Sequence, residues 1–157
     1  MTFLKFENVQ NYPRPPVLEP VRQSIRVEFG GKTIVESDNT FRVLETHHAP
    51  TYYIPEDAIN AVMIPAAGQS YCEWKGVATY WDIQSGAVKA TKAAWSYAAP
   101  TKSFEQIKGY IAFYAGLMDA CFVGEHQVMP QSGDFYGGWV TENLKGQIKG
   151  APGTEFW

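Results

Sequence analysis

Ser70-Tyr71-Cys72-Glu73-Trp74-Lys75-Gly76 runs directly into Val77-Ala78-Thr79-Tyr80-Trp81-Asp82-Ile83. In the second half Val77, Thr79, Trp81 and Ile83 alternate with Ala78, Tyr80 and Asp82, the period-two pattern of a strand whose two faces see different surroundings. Gln84-Ser85-Gly86 then turns the chain into Ala87 to Tyr97, so a long β-hairpin is expected, with a thiol, an indole and an ammonium group carried at one sheet rim. Hydrophobic residues make up 45% of the 157 residues and charged residues 18%, with 9 Tyr, 9 Phe and 5 Trp. Such a chain is long enough to bury a sizeable core and its aromatic content favours packed sheets over disorder.

Outward from that hairpin, the same signals recur. Ile25, Val27 and Phe29 alternate with Arg26 and Glu28, and Gly30-Gly31 leads into Thr33-Ile34-Val35, which predicts a second hairpin. Phe41 to Glu45 reads as a further strand that empties into Thr46-His47-His48-Ala49-Pro50. Pro55-Glu56-Asp57 suits the first turn of a short helix. Pro65-Ala66-Ala67-Gly68 is expected to break the chain ahead of Cys72. Thr101 is placed to cap another short helix through Phe104 and Ile107. Tyr110 to Tyr114 and Met118 to Val123 read as two strands on either side of Ala115-Gly116-Leu117.

These readings divide one domain, residues 1–157, into a proline-rich lead-in arm (1–22), a β-barrel core (23–129) and a glycine- and aromatic-rich C-terminal extension (130–157). Flexible linkers lack regularly spaced large aromatics, so the extension is expected to pack.

A net charge of −3 gives no general attraction for phosphate backbones, so nucleic acid is not an expected partner. No run reaches the length of a membrane span, and Met1 to Glu7 lacks the pattern of an export signal, so a cytoplasmic protein without membrane attachment is expected, with Cys72 and Cys121 free. A Cys-Cys-His-His metal site would need Cys72, Cys121 and two of His47, His48 and His126 without their usual short paired spacing, so no metal site is expected. Neither a phosphate-cradling glycine loop nor a dinucleotide fingerprint occurs, and no cofactor is indicated.

Several stretches together are similar to a known family: Val43-Leu44-Glu45-Thr46 with His48, Pro50, Tyr52 and Tyr53; Cys72, Trp74, Lys75 and Gly76; and Ala93-Ala94-Trp95-Ser96-Tyr97. Phe113-Tyr114 and Gly133-Asp134-Phe135-Tyr136-Gly137-Gly138-Trp139 resemble its longer members. The chain resembles domain of unknown function 427 from about Arg22 onward. It departs from that pattern at His47, where relatives often have Ser, and at Glu73, where they often have Pro. The resemblance implies a mainly β fold, a small open conical β-barrel of the β-tent type with one or two short helices. Many β-tent proteins hold zinc on cysteine knuckles, which this sequence lacks. A nucleotidyltransferase-like label attached to the family finds no paired-aspartate strand here.

The candidate site is the place where the His48 loop and the Cys72 loop meet at one mouth. Three functions compete for it. A small-molecule-binding module would present Arg42, His48, Tyr52, Tyr53, Cys72, Trp74, Lys75, Trp95 and Tyr97 to a planar or anionic ligand. A transferase or hydrolase would use Cys72 as nucleophile, His48 as base and Glu45 to orient the imidazole. A structural protein would use the aromatic extension to assemble with a partner or with further copies of itself. Against each stands a plainer reading: Cys72 as a small core residue beside Trp74, His48 as a packed loop residue, Lys75 as a loop-stabilising cation–π partner.

Overall fold

The computed structural model describes residues 4–133, 135–151 and 153–154; Asp134, named above in the extension, lies outside them, as do the last three residues of the extension. The protein is mainly β. Both predicted hairpins are present. Ile25–Phe29 pairs with Lys32–Ser37 across Gly30 and Gly31, whose φ of 64° and 75° are the left-handed values a tight hairpin turn requires. Gly76–Ser85 pairs with Val88–Tyr97 and also with Val62–Cys72, and Ile111–Phe113 completes a four-stranded sheet on the far side of Val88–Tyr97.

A second sheet orders His126–Gln127, Ala120–Val123, Ile25–Phe29 and Lys32–Ser37. A third joins Val17–Val21, Thr40–Leu44 and Thr51–Tyr53. The third is stitched to the first by Ile54, whose N–H donates to Ile111 O (2.8 Å) while the Ile111 N–H donates to Ile54 O (2.7 Å). Part of the lead-in arm is thus a strand, and Pro20 is tolerated in it because Val17–Val21 lies at a sheet edge, where a missing donor breaks no ladder.

The ladders do not close into a barrel among the described residues. Val62–Cys72 is an edge strand, and the expected break at Pro65 to Gly68 is instead a bulge within it. Pro65 faces Trp81 and Gln69 faces Thr79, so Ala66, Ala67 and Gly68 together oppose Tyr80. An edge carrying a proline and a wide bulge offers no regular row of donors and acceptors, which stops further pairing. The helical pieces at Glu56–Ala58, Lys102–Ile107 and Ala115–Leu117 are short 3-10 turns. No helix among the described residues is long and apolar enough to cross a membrane.

Alternation along the long hairpin serves two cores because of a second bulge, between Trp81 and Ile83. Below it, Ile83, Ala93 and Ala94 join Ile25, Val27, Ile34, Tyr52 and Phe113 in the larger core. Above it, Ala78, Trp95 and Tyr97 join Val43, Tyr53, Phe104 and Ala112 in a smaller aromatic cluster. Lys92, at φ 49°, is the middle one of the three residues that this bulge sets against Asp82, and its N–H donates to the Asp82 carboxylate at 2.8 Å. The smaller cluster forms the floor of the cleft described next.

Candidate functional site

A cleft of about 580 Å3 opens above the aromatic cluster. Its floor follows from register. Ser70 pairs with Ala78, Ala78 with Tyr97, and Tyr80 with Trp95, so these side chains share one face of the sheet. The Tyr80 hydroxyl donates to Ser70 Oγ at 2.9 Å. On the neighbouring sheet, Val43 and Tyr53 turn to the same space. Burial pushes the Tyr53 and Tyr97 hydroxyls well above the ordinary phenol range, so both are uncharged hydrogen-bonding groups.

The rim is the turn between Cys72 and Gly76, which are paired across the hairpin. Gly76 has φ 107°, a conformation that side chains disfavour, and a Cβ there would lie in contact range of the Ala99 carbonyl. Thr101 fixes the turn: its N–H donates to Lys75 O at 3.1 Å and its hydroxyl to Trp74 O at 2.6 Å. That hydroxyl therefore serves the rim and makes no cap bond to the Lys102–Ile107 turn. Lys75 is only 9% exposed, with its ammonium 6.0 Å from the Tyr97 and Phe104 ring centres, the outer limit of a cation–π contact.

The opposite wall comes from the His48 loop and the C-terminal extension. Gln131, 3% exposed, binds them together: its Oε1 accepts from the Ala49 N–H (3.2 Å) and its Nε2 donates to Lys149 O (2.8 Å). One backbone donor and one backbone acceptor leave a single orientation for the amide. The same Nε2 lies 3.3 Å from His48 Nδ1, so that ring nitrogen accepts and the proton of the neutral imidazole sits on Nε2. Burial, reinforced by the charges of Lys149, Lys75, Arg14 and His47, lowers the His48 pKa to about 4. At neutral pH His48 is thus an uncharged N–H donor.

Glycines let the extension approach this closely. A Cβ on Gly137 would overlap the Trp95 ring, and one on Gly138 would overlap both Ala49 O and Gln131 Oε1. Tyr136 packs edge-on against His48 with ring centres 5.3 Å apart and lies under the Lys149 ammonium at 5.4 Å. Tyr114 contacts Trp95 at 4.6 Å and its hydroxyl donates to Phe135 O at 3.1 Å. Trp139 is buried in the larger core, stacked on Tyr52 at 5.1 Å, with its indole N–H donating to Phe113 O at 2.9 Å.

Of the residues predicted from the sequence, Glu45, His48, Tyr53, Cys72, Trp74, Lys75, Trp95 and Tyr97 line this one cleft. Arg42 and Tyr52 do not reach it. They are cross-strand partners on the opposite face from Val43 and Tyr53. Arg42 is held there by the Glu7 carboxylate (2.8 and 3.1 Å) and by Glu19 (2.6 Å). The hydrogen bond to the His48 ring comes from Gln131, and Glu45 contributes its backbone carbonyl to the His48 N–H. Gln131, Tyr136 and Lys149 were missed; only the glycine and aromatic spacing of the extension signalled that it packs.

Cys72 is half-buried at the rim and free; Cys121 is buried in the larger core, where its thiol is pushed up to about 12. Among the described residues no group of three or more His, Cys, Asp or Glu side chains is placed to hold a metal ion.

Fold and cleft together define a mainly β protein with an aromatic, lysine-bearing pocket. Residues 17–124 match the sequence model of the family described as Domain of unknown function (DUF427), and the chain belongs to that family. No curated protein matches the chain. The matched segment carries the floor, the rim and His48; Gln131, Tyr136 and Lys149 lie beyond it.

Proposed function

We propose that the protein is a small-molecule-binding module, an open β-tent-like scaffold working in the cytosol, whose ligand enters the cleft between the Cys72–Gly76 rim and the His48 loop. The observation that carries this reading is convergence. Residues distant in sequence, from Val43 to Lys149, meet around one concave space, with aromatic side chains on its floor and a few polar groups at its edge. Pockets built this way take ligands that stack on the apolar surface and are oriented by the polar groups.

The state of His48 favours binding over catalysis. A general base for Cys72 must hold a lone pair toward the thiol and have appreciable affinity for a proton. Here Nδ1 is occupied by Gln131, Nε2 carries the proton, and the pKa lies far below neutrality. The extension, too, is spent internally: Trp139 fills the core and Gly137 lies on Trp95, which favours its role as a cleft wall over one as an assembly surface.

A library of planar fragments, read by amide and indole chemical shifts in the labelled protein, tests the reading. Perturbations should gather at His48, Cys72 to Gly76 and the Trp95 indole. Binding that perturbs only other surfaces, or no binding at millimolar concentrations, would reject it.

A further inference from the structure

The cleft is lined by two ammonium groups, those of Lys75 and Lys149, to which no carboxylate is paired among the described residues. For an exposed lysine this would be unremarkable, since water solvates it. Lys75 is almost wholly buried, and its nearest partners are ring faces at the limit of useful attraction. Its ammonium keeps water only on the side of the cleft it lines, and a partly dehydrated cation with no paired carboxylate favours an anion brought in by a ligand.

The surroundings define what the missing anion looks like. His48 lies under the influence of Lys149, Lys75, Arg14 and His47, all of one sign. It presents Nε2–H as a further uncharged donor. Glu45 also lines the cleft, but its charge acts on Tyr53 on the floor. Glu73, on the rim, is exposed and solvated. Lys75 and Lys149 share the cleft with Glu45 and with Glu73; Glu73 stands at the exposed rim, where water screens it, so the inner end has room for about one negative charge. The edges of Trp95 and Tyr97, 7% and 5% exposed, line the cleft next to this charged end together with the half-buried Trp74 and Tyr80, which suits a flat apolar body.

We propose that the cleft selects a planar aromatic monocarboxylate, its carboxylate held between the Lys75 and Lys149 ammonium groups and the His48 ring, and its ring system laid against Trp95. This rests on the small-molecule reading above and narrows it to one ligand class. No bond is made or broken; selection comes from charge-assisted hydrogen bonds at one end and stacking at the other.

The test uses the full chain and four probes: 2-naphthoate, its uncharged isostere 2-naphthamide, the dianion 2-naphthyl phosphate and the non-planar cyclohexanecarboxylate. Titration calorimetry should rank 2-naphthoate first, at least tenfold tighter than each of the others. Lys75→Met should reduce 2-naphthoate affinity at least tenfold and leave 2-naphthamide unchanged. Lys149→Met provides the same test should the rim turn tolerate Lys75→Met poorly. If 2-naphthamide binds in the cleft as tightly as 2-naphthoate, the charge selectivity is wrong while the binding module stands. Tightest binding of 2-naphthyl phosphate would overturn the monoanion assignment. Failure of every probe to bind in the cleft would overturn both readings.

Discussion

The segment that matches the family and the extension beyond it are built on different principles, yet they close around the same cleft. In the first, long ladders place side chains by alternation, so Tyr80, Trp95 and Tyr97 share a face because of register alone. In the second, the strands are two residues long, as in Met129–Pro130 with Trp139–Val140. Position there depends on glycines that permit near contact, on Gln131, and on the single large anchor Trp139. A regular sheet can supply a floor by itself. A wall that must touch an indole and a histidine loop needs irregular backbone, and its stability comes from a few specific contacts.

Those contacts are where the comparison breaks most readily. Trp139→Ala should have the largest effect, removing the anchor from the core; a loss of about 3–5 kcal/mol is expected in urea unfolding, in the range of large aromatic deletions. A loss near zero would mean that the extension is not part of the cooperative unit. Gly137→Val comes next. Its side chain has no room beside Trp95, so about 2–3 kcal/mol of stability should be lost, or the strap should lift and the Trp95 emission should shift toward that of an exposed indole.

Gln131→Leu removes the bonds to Ala49, Lys149 and His48 without changing the fold of the floor, at a cost of about 1–3 kcal/mol from unpaired buried groups. His48 makes the same wall sensitive to acid. Its folded pKa, about 4, lies below the unfolded value of about 6.5, so the unfolded chain takes up the proton first as pH falls. Its contribution is complete above about pH 6.5 and is lost between there and pH 4, on the order of 2 kcal/mol given partial solvent access. His48→Gln should flatten that part of the stability profile. Arg42→Met should have the smallest effect, about 1 kcal/mol from the partly exposed Glu7 and Glu19 pairs, and should leave binding in the cleft untouched.

Local patterns in the sequence reveal the first region better than the second. Gly30-Gly31 and the alternation from Val77 announce hairpins because turn chemistry and period-two burial act over neighbouring residues. The meeting of the His48 and Cys72 loops was legible as a possibility, since both end strands of one sheet system. The face of each aromatic was not legible. Tyr52 and Tyr53 differ by one position, and which of them meets the cleft depends on pairing with Arg42 and Phe41. The bulges at Pro65 and Trp81 likewise change which side chains share a face, and a bulge on an edge strand looks like a break when only its Pro and Gly are read. Arg42 finds Glu7 and Glu19, 35 and 23 positions away, because side chains pair across strands, where sequence distance is no guide. Gln131 gave no signal: a lone glutamine becomes the keystone of the wall only through partners at positions 48, 49 and 149.

The most direct test of the shared cleft is nitrogen NMR of the His48 imidazole at pH 7, without and with 2-naphthoate. The ring should be neutral and in one tautomer, with Nδ1 as acceptor and the proton on Nε2, and its Nε2 resonance should move as the carboxylate binds. A protonated or tautomerically mixed ring in the free protein, or an Nε2 resonance indifferent to millimolar 2-naphthoate, would contradict the shared-cleft arrangement.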